Sequence, residues 1–266
     1  GEVLGIAPIS EQNKILLFAQ GSSPDITNAG SYIFRTFPND LYSSETVATH
    51  ALSKGLKTAA LLTENTDYAV AMDKAFTEHY QAAGGKILDS EKYKSDTTDY
   101  RQIVTKIKAL NPDMIFINAQ TGGNAARIAK QARELGIKSQ FYAVFFSGDE
   151  FVKSGAAVNG TYVIDVPILR SENPKATTFL KAYSDMFGKE PTYPFFAGGL
   201  YDQVHLLVQA IKTAGSDTDK IKEYLTNLTS YDGVIGAFHF DASGDVVGVP
   251  LRVTQIVDNK LVTITN

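Results

Sequence analysis

Apolar and polar positions along the chain fall into short blocks that alternate between two periods. Apolar runs too short for a helix stand at residues 15–19 (Ile-Leu-Leu-Phe-Ala), 114–118 (Met-Ile-Phe-Ile-Asn) and 140–145 (Gln-Phe-Tyr-Ala-Val-Phe). Flanked by Gly, Pro and polar residues, such runs predict strands covered on both faces. Between them the spacing is helical. Met72, Phe76 and Tyr80 share one helix face, Ile103, Val104, Ile107 and Leu110 a second, and Ala125, Ile128, Ala132 and Leu135 a third. In order, the pattern predicts a helix over 2–13, weakened by Gly5 and Pro8, a strand over 15–19 and a short apolar segment over 32–36. A helix from Ser43 follows, with Ser43 and Ser44 as cap candidates and Gly55 as its stop. Then come strand 58–63, helix 68–83, strand 87–93, a helix capped by Asp99 and stopped by Asn111-Pro112, and strand 114–118. A helix after Gly122-Gly123 ends at Gly136, and strands 140–145 and 160–166 close the series. Repeated strand–helix–strand units with right-handed crossovers make an α/β chain, a parallel sheet with helices on both faces.

Beyond Pro167 the rhythm changes. Helices are predicted over 174–187, 195–214 and 217–228, the second with Val204, Leu207, Val208 and Ile211 inward. Residues 236–245 read as a strand with a tight turn, and 250–264 as two strands around Asp258-Asn259. A βα block that pauses for helices and then adds strands suggests two lobes joined by several crossings.

Open α/β sheets bind ligands beyond the carboxyl ends of their strands. The segments 65–68, 120–123 and 145–148 would therefore share one edge, with the loop 20–23 facing them from the other lobe. In that loop Gly21 lets backbone approach a ligand, and Ser22 and Ser23 offer hydroxyls. The loop suits a carboxylate, and it reads equally well as an ordinary Ser-Pro turn. Tyr68, Gln120, Phe145 and Phe146 complete a lining of apolar walls with a few polar groups, as small organic ligands require. Buried packing accounts equally well for the two phenylalanines.

Composition removes other classes. The 266 residues are 44% hydrophobic and 20% charged, a globular balance able to bury substantial cores. The net charge is −4 and the 25 Lys and Arg are scattered singly, so neither nucleic acid nor an anionic membrane is indicated as a partner. Without cysteine there are no disulfides, thiolate chemistry or Cys-based zinc sites. No apolar run approaches the roughly 20 residues that span a bilayer. No signal-peptide pattern opens the chain, as in a mature or trimmed protein. The four histidines lie far apart and outside any metal-ligand spacing. No nucleophile elbow, P-loop or dinucleotide fingerprint follows a strand. Gly122-Gly123 is weak as a phosphate site. Asp241-x-Ser243-Gly244-Asp245 has a faint calcium-loop look but lacks the distal glutamate, which favours a hairpin turn. No catalytic constellation survives and no cofactor or metal is implied: the chain reads as a binding protein, not an enzyme.

Ala7-Pro8-Ile9, the segment from Gly21 to Thr27, Phe34-Arg35-Thr36 and Asp99-Tyr100 together carry a family likeness. Further matches are Gln131 to Gly136, Leu200 to Val204 and Phe240 to Asp245, in the same order along essentially the whole chain. In these segments the sequence resembles the solute-binding proteins of branched-chain amino acid ABC transporters, the leucine/isoleucine/valine-binding type. The resemblance implies the two-lobed type I periplasmic-binding fold, parallel sheets flanked by helices, with ligand clamped between lobes linked by three crossings. One lobe would hold residues 1–40 with 168–250, the other 41–167 with 251–266. It also implies an extracytoplasmic protein, periplasmic or extracellular and in some members lipid-anchored, whose partners are a small carboxylate ligand and a membrane permease. The same fold serves as a ligand-sensing domain of receptors and regulators, which is the second reading.

Two departures from the family pattern matter. The family's carboxylate site pairs the loop matching Gly21-Ser22 with a serine from an earlier loop, which would fall before Gly1. The family's first strand and first helices are missing too, so the first lobe is expected to be incomplete, with exposed apolar surface and a tendency to self-associate. Amino-acid binders of the family also place an acid after the strand matching 140–144, to pair with the ligand ammonium. Here Phe145 and Phe146 stand there, and Asp149 and Glu150 come a few residues later. Either Asp149 reaches in or the ligand is a carboxylate without an amine. Tyr68 matches the family's cleft tyrosine, Gln120 stands where a tyrosine is common, and Phe196 adds to the wall.

Overall fold

The computed structural model describes residues 2–144, 149–166 and 173–264. Helix α1 (Glu2–Asn13) ends in a left-handed turn at Lys14, φ 53°. Ser10 then holds Ile15 through both its hydroxyl (2.5 Å to the Ile15 carbonyl) and its own carbonyl (2.9 Å from the Ile15 N–H). Ile15 is thereby spent on the turn, and strand β1 (Leu17–Ala19) starts two residues later than the apolar run predicts. Helix α2 (Asp25–Asn28) leads to strand β2 (Ile33–Arg35), which pairs parallel with β1. Helix α3 (Asp40–Ser53) begins before Ser43. Ser43 and Ser44 do not cap it but lie buried inside it, Ser44 donating to Met72 Sδ at 3.0 Å.

Strand β3 (Thr58–Glu64) precedes helix α4 (Asp67–Ala82), whose cap is Thr66, accepting the Ala69 N–H. After strand β4 (Lys86–Tyr93) comes helix α5 (Arg101–Leu110). Asp99 does not cap it: its carboxylate accepts the N–H of Arg101, two residues on, in a local turn. Val104 and Ile107 of α5 are buried, whereas Leu110 at its end is exposed. Strand β5 (Met114–Asn118) leads through the cap Thr121 into helix α6 (Gly122–Glu134). Strand β6 (Gln140–Val144), helix α7 (Asp149–Val152) and strand β7 (Tyr162–Asp165) follow. Helix α8 (Pro174–Phe187) is capped by Asn173. Helix α9 (Pro194–Ala214) and helix α10 (Thr218–Thr226), capped by Asp217, lead to strands β8 (Tyr231–Gly233), β9 (Gly236–Phe240) and β10 (Val246–Val247). Strands β11 (Arg252–Val257) and β12 (Lys260–Thr263) turn at Asp258-Asn259, both in positive φ, as a two-residue hairpin demands.

The chain divides into two compact units, Gly1–Asn39 with Val166–Pro250, and Asp40–Asp165 with Leu251–Asn266. The second is built on one sheet in the order β12-β11-β7-β6-β5-β3-β4, parallel from β7 to β4, with β11 and β12 antiparallel at one side. Central strand β5 is buried throughout, as its unbroken apolar run predicts. Its alternate side chains feed two cores: Ile115 and Ile117 meet Val104, Ile128 and Phe141, while Met114 and Phe116 meet Met72, Phe76 and Tyr142. The first unit holds the parallel pair β1–β2 and an antiparallel sheet β10-β9-β8.

One sequence expectation fails here. Val204, Val208 and Ile211 of α9 are 62%, 44% and 42% exposed, and the buried face is Asp202, Gln203, Leu206 and Ala210. Two polar anchors set the rotation of this helix. Asp202 accepts the N–H groups of Val234 and Ile235 at 2.8 and 2.9 Å, and Gln203 donates to the Ala19 carbonyl and Thr36 Oγ1 at 3.0 and 2.9 Å. Buried backbone groups left without these partners would cost more than the exposed valines do. The result is an exposed apolar stripe of Leu200, Val204, Val208 and Ile211.

Candidate functional site

In the first unit, β1 ends at Ala19 and the chain passes through Gln20, Gly21, Ser22 and Ser23 into α2. Beside Ala19 in the parallel register lies Arg35, the last residue of β2 and completely buried. Its guanidinium organises the loop. Nη1 donates to the carbonyls of Gly21 (3.1 Å) and Ser23 (2.6 Å), and Nε donates to Asp245 Oδ1 (2.5 Å). A trans peptide holds its C=O and N–H in opposite directions. With the Gly21 carbonyl turned onto Arg35, the Ser22 N–H points away from the guanidinium, where it can donate to an anion. A Cβ at Gly21 would stand 2.6 Å from Ile26 Cδ1, so the end of that side chain would have to shift to admit one. Gln20 is tied to Thr36 Oγ1 at 2.6 Å, and α9 crosses close to it at Gly199, where a Cβ would meet the Gln20 amide at 2.5 Å.

Asp245 gathers further partners. Oδ1 also accepts from Thr27 Oγ1 at 2.9 Å, and Oδ2 accepts from Asn39 Nδ2 at 2.9 Å. Burial disfavours its charge, but Arg35, Asn39 and Thr27 outweigh this and hold the carboxyl below its ordinary range. The 241–245 segment is the hairpin turn rather than a calcium loop: Asp241 Oδ1 accepts the N–H groups of Ser243 and Asp245. Phe196, at the start of α9, stacks on buried Phe37 with ring centroids 4.6 Å apart.

In the second unit, Tyr68 in the first turn of α4 is partly buried, and burial, then the buried acid Asp40, pushes its phenol well above the usual range. It is a neutral hydrogen-bond donor at physiological pH. Gln120 is exposed beyond β5, and its backbone N–H is fixed by buried Glu64 at 2.8 Å. Beneath these loops Asp73 accepts from Thr63 and Ser90 (both 2.7 Å), pinning α4 to β3 and β4. At the start of α6 a Cβ on Gly123 would stand 2.5 Å from Glu150 Oε1, so a carboxylate of α7 packs against this turn.

The expected site residues thus separate by unit. Gly21, Ser22 and Ser23 share one loop, with Phe196 on the same unit; Tyr68 and Gln120 lie at adjacent strand ends of the other. Phe145, Phe146 and the side chain of Asp149 lie outside the described residues. The sequence reading missed Arg35, Asp245, Asp40 and Glu64; the available signal was a lone arginine between Phe34 and Thr36 in a short strand. A separate concavity of about 650 Å³ lies between α8, α9 and β8, walled by Phe179, Tyr183, Phe187, Tyr201 and Tyr231. Its charges are already engaged, Lys175 with Asp232 at 2.9 Å and Asp202 with two backbone N–H groups, so it offers little to orient a carboxylate. Among the described residues no three His, Asp or Glu side chains group as a metal site, and no helix is long and apolar enough to cross a membrane.

The sequence profile of a family described as periplasmic binding protein matches residues 1–260. A Leu/Ile/Val-binding protein homologue of Brucella melitensis is 22% identical over 227 residues, covering 83% of this chain; the chain spans only 58% of that relative's length. The crystal structure of a leucine-binding protein from Thermotoga maritima superposes with a TM-score of 0.87 at 26% identity, covering 99% of this chain and 76% of that one. A solute-binding protein of an ABC transporter from Rhodopseudomonas palustris, in complex with 3,4-dihydroxybenzoic acid, gives a TM-score of 0.77 at 25% identity over 98% of this chain and 74% of its own.

Proposed function

Because the chain belongs to the periplasmic binding protein family, we propose that it serves an ABC importer as the solute-binding component, holding a small carboxylate and presenting it to the membrane permease. The work is extracytoplasmic, in the periplasm or outside the cell, with lipid anchoring one form it takes. Family members bind solutes rather than transform them, and the residues at the strand ends here are donors and apolar walls.

One observation carries the reading. Arg35 draws the Gly21 and Ser23 carbonyls inward, which leaves the Ser22 N–H and the two serine hydroxyls as the groups the loop can offer. A loop with two carbonyls turned inward and an N–H turned outward suits an anion. Gly21, Ser22 and Ser23 would take the carboxylate, while Tyr68, Gln120, Phe145, Phe146 and Phe196 would line the rest of the ligand. We favour an apolar or aromatic acid, or a 2-oxo acid, over an amino acid. The segment that in amino-acid binders supplies an acid here carries Phe145 and Phe146. A buried ammonium without an anionic partner costs on the order of several kcal/mol. Asp149 and the buried carboxyl of Asp40, which acts on Tyr68, are the acids that would have to serve an amino acid.

A thermal-shift comparison of the full-length protein with leucine, 4-methyl-2-oxopentanoate and benzoate tests this. Ligand at 100 times its Kd should stabilise by about 2.7 kcal/mol. The proposal expects the amine-free acids to raise the midpoint most. Leucine acting alone, with Asp40→Asn or Asp149→Asn removing its effect, would reverse the ligand preference, and no response to any of the three would overturn the carboxylate reading. The exposed stripe on α9 supports a further proposal, that this chain self-associates through its first unit.

A further inference from the structure

A fully buried arginine is an expensive way to stabilise a strand end. Arg35 is 0% exposed, and its Nη2 makes no hydrogen bond among the described residues. A desolvated cation with a spare donor loses stability to an apolar residue of similar volume, so its worth is to be sought in what it positions. Three of its bonds are directional and each goes somewhere useful. Two reach carbonyls of the Gly21–Ser23 loop from below, and the third reaches Asp245. Asp245 in turn grips Thr27, just beyond the loop, and Asn39, the last residue of the first unit before the chain enters the second. The Arg35 N–H also donates to the Gly244 carbonyl at 3.0 Å, which fixes the hairpin turn that carries Asp245.

We propose that Arg35 and Asp245 are positioning residues for the ligand: together they hold the Gly21–Ser23 loop in its anion-accepting shape and lock that shape to Asn39 at the crossing between units. Neither residue is assigned a contact with the ligand. Arg35 acts by fixing which way the loop peptides face, and Asp245 acts by fixing Arg35. Lysine cannot replace Arg35, because one ammonium does not present the guanidinium fork to two carbonyls and a carboxylate in one plane. The inference rests on reading the loop as the carboxylate site, and its test is chosen so that the two can fail separately.

Amide hydrogen exchange of the ligand-free protein is measured for wild type, Arg35→Lys and Asn39→Ala. Strands β3 and β5 of the second unit provide the internal reference. Loss of a charge-assisted bond is expected to speed exchange by about tenfold in Arg35→Lys at Ile26, whose N–H is held by the Ser23 carbonyl, and at Asp245, whose N–H is held by Asp241, with the reference strands unchanged. Asn39→Ala removes the bond to Asp245 Oδ2 and leaves Arg35 intact, and a smaller acceleration at the same two amides is expected; this variant decides the matter if Arg35→Lys fails to fold. Unchanged exchange at Ile26 and Asp245 in the folded variants would overturn the proposal. In titrations with benzoate and leucine, Arg35→Lys should weaken binding at least about tenfold while its reference-strand protection stays at the wild-type level. A loosened loop with wild-type affinity would also overturn it, reducing Arg35 to a structural role. Wild type binding neither probe would refute the carboxylate reading alone, the exchange data still deciding whether Arg35 and Asp245 shape the loop.

Discussion

Gly244 offers the sharpest check on how the hairpin turn supports the candidate loop. It holds φ +85°, and a Cβ there would stand 2.1 Å from the carbonyl oxygen of Ile33, a backbone atom that cannot swing aside. For Gly244→Ala, the left-handed backbone alone costs roughly 1–2 kcal/mol. Relieving the overlap requires the turn and β2 to separate by about 1 Å, a repacking worth roughly 1–3 kcal/mol. That separation breaks the Arg35 N–H to Gly244 carbonyl bond, about 1 kcal/mol more. The sum is roughly 3–6 kcal/mol, drawn from a native stability of only about 5–15 kcal/mol. Gly236→Ala is the control. Its φ is also positive, at +111°, but nothing lies within 4 Å of the added Cβ, so only the backbone term applies. Urea unfolding followed by far-ultraviolet circular dichroism, with hydrogen exchange to separate the units, gives both values. If the two variants agree within about 0.5 kcal/mol, the close packing of the hairpin turn on β2 is refuted.

Other consequences follow from buried polar groups. His50 donates to or accepts from Tyr142 Oη at 2.8 Å, and burial, then Lys54, lowers its pKa below the ordinary 6.5. Below 6.5 the unfolded chain takes up a proton that the folded chain refuses, so stability falls as pH drops from 7 toward 5; His50→Gln should flatten that part of a melting-temperature profile against pH. Asp202→Asn places an amide against the N–H groups of Val234 and Ile235 and should cost about 1–3 kcal/mol in urea unfolding. Val204→Glu, on the exposed stripe, should leave the melting temperature nearly unchanged but lower the mass seen by light scattering; a monodisperse wild-type monomer would contradict self-association.

The second unit was the more legible in sequence because its signals are local. The continuous run at 114–118 reads as a strand covered on both faces and is one, and the helical spacing of Met72, Phe76 and Tyr80 reads as one buried helix face and is one. The first unit was less legible because long-range polar bonds decide it. Val204 and Val208 satisfy helical periodicity as well as Leu206 and Ala210 do, and nothing nearby reveals that Asp202 and Gln203 have partners some thirty or more residues away. The same limit applies at Ser43, where a serine on a packed face is indistinguishable from a cap. That residues 20–23 form a loop was legible because Gly and Ser end the apolar run before them. Its support was not, because the Arg35–Asp245 pair spans more than 200 residues of sequence.

The central claim is that Ser22, on a loop shaped from below, anchors a carboxylate. Isothermal titration of benzoate and of 4-methyl-2-oxopentanoate into the full-length wild type and Ser22→Ala tests it most directly. The account predicts saturable binding of at least one acid, weakened by about tenfold or more when the hydroxyl is removed. Equal affinity in the two proteins, or binding that persists when the acid is replaced by its uncharged amide, would contradict it.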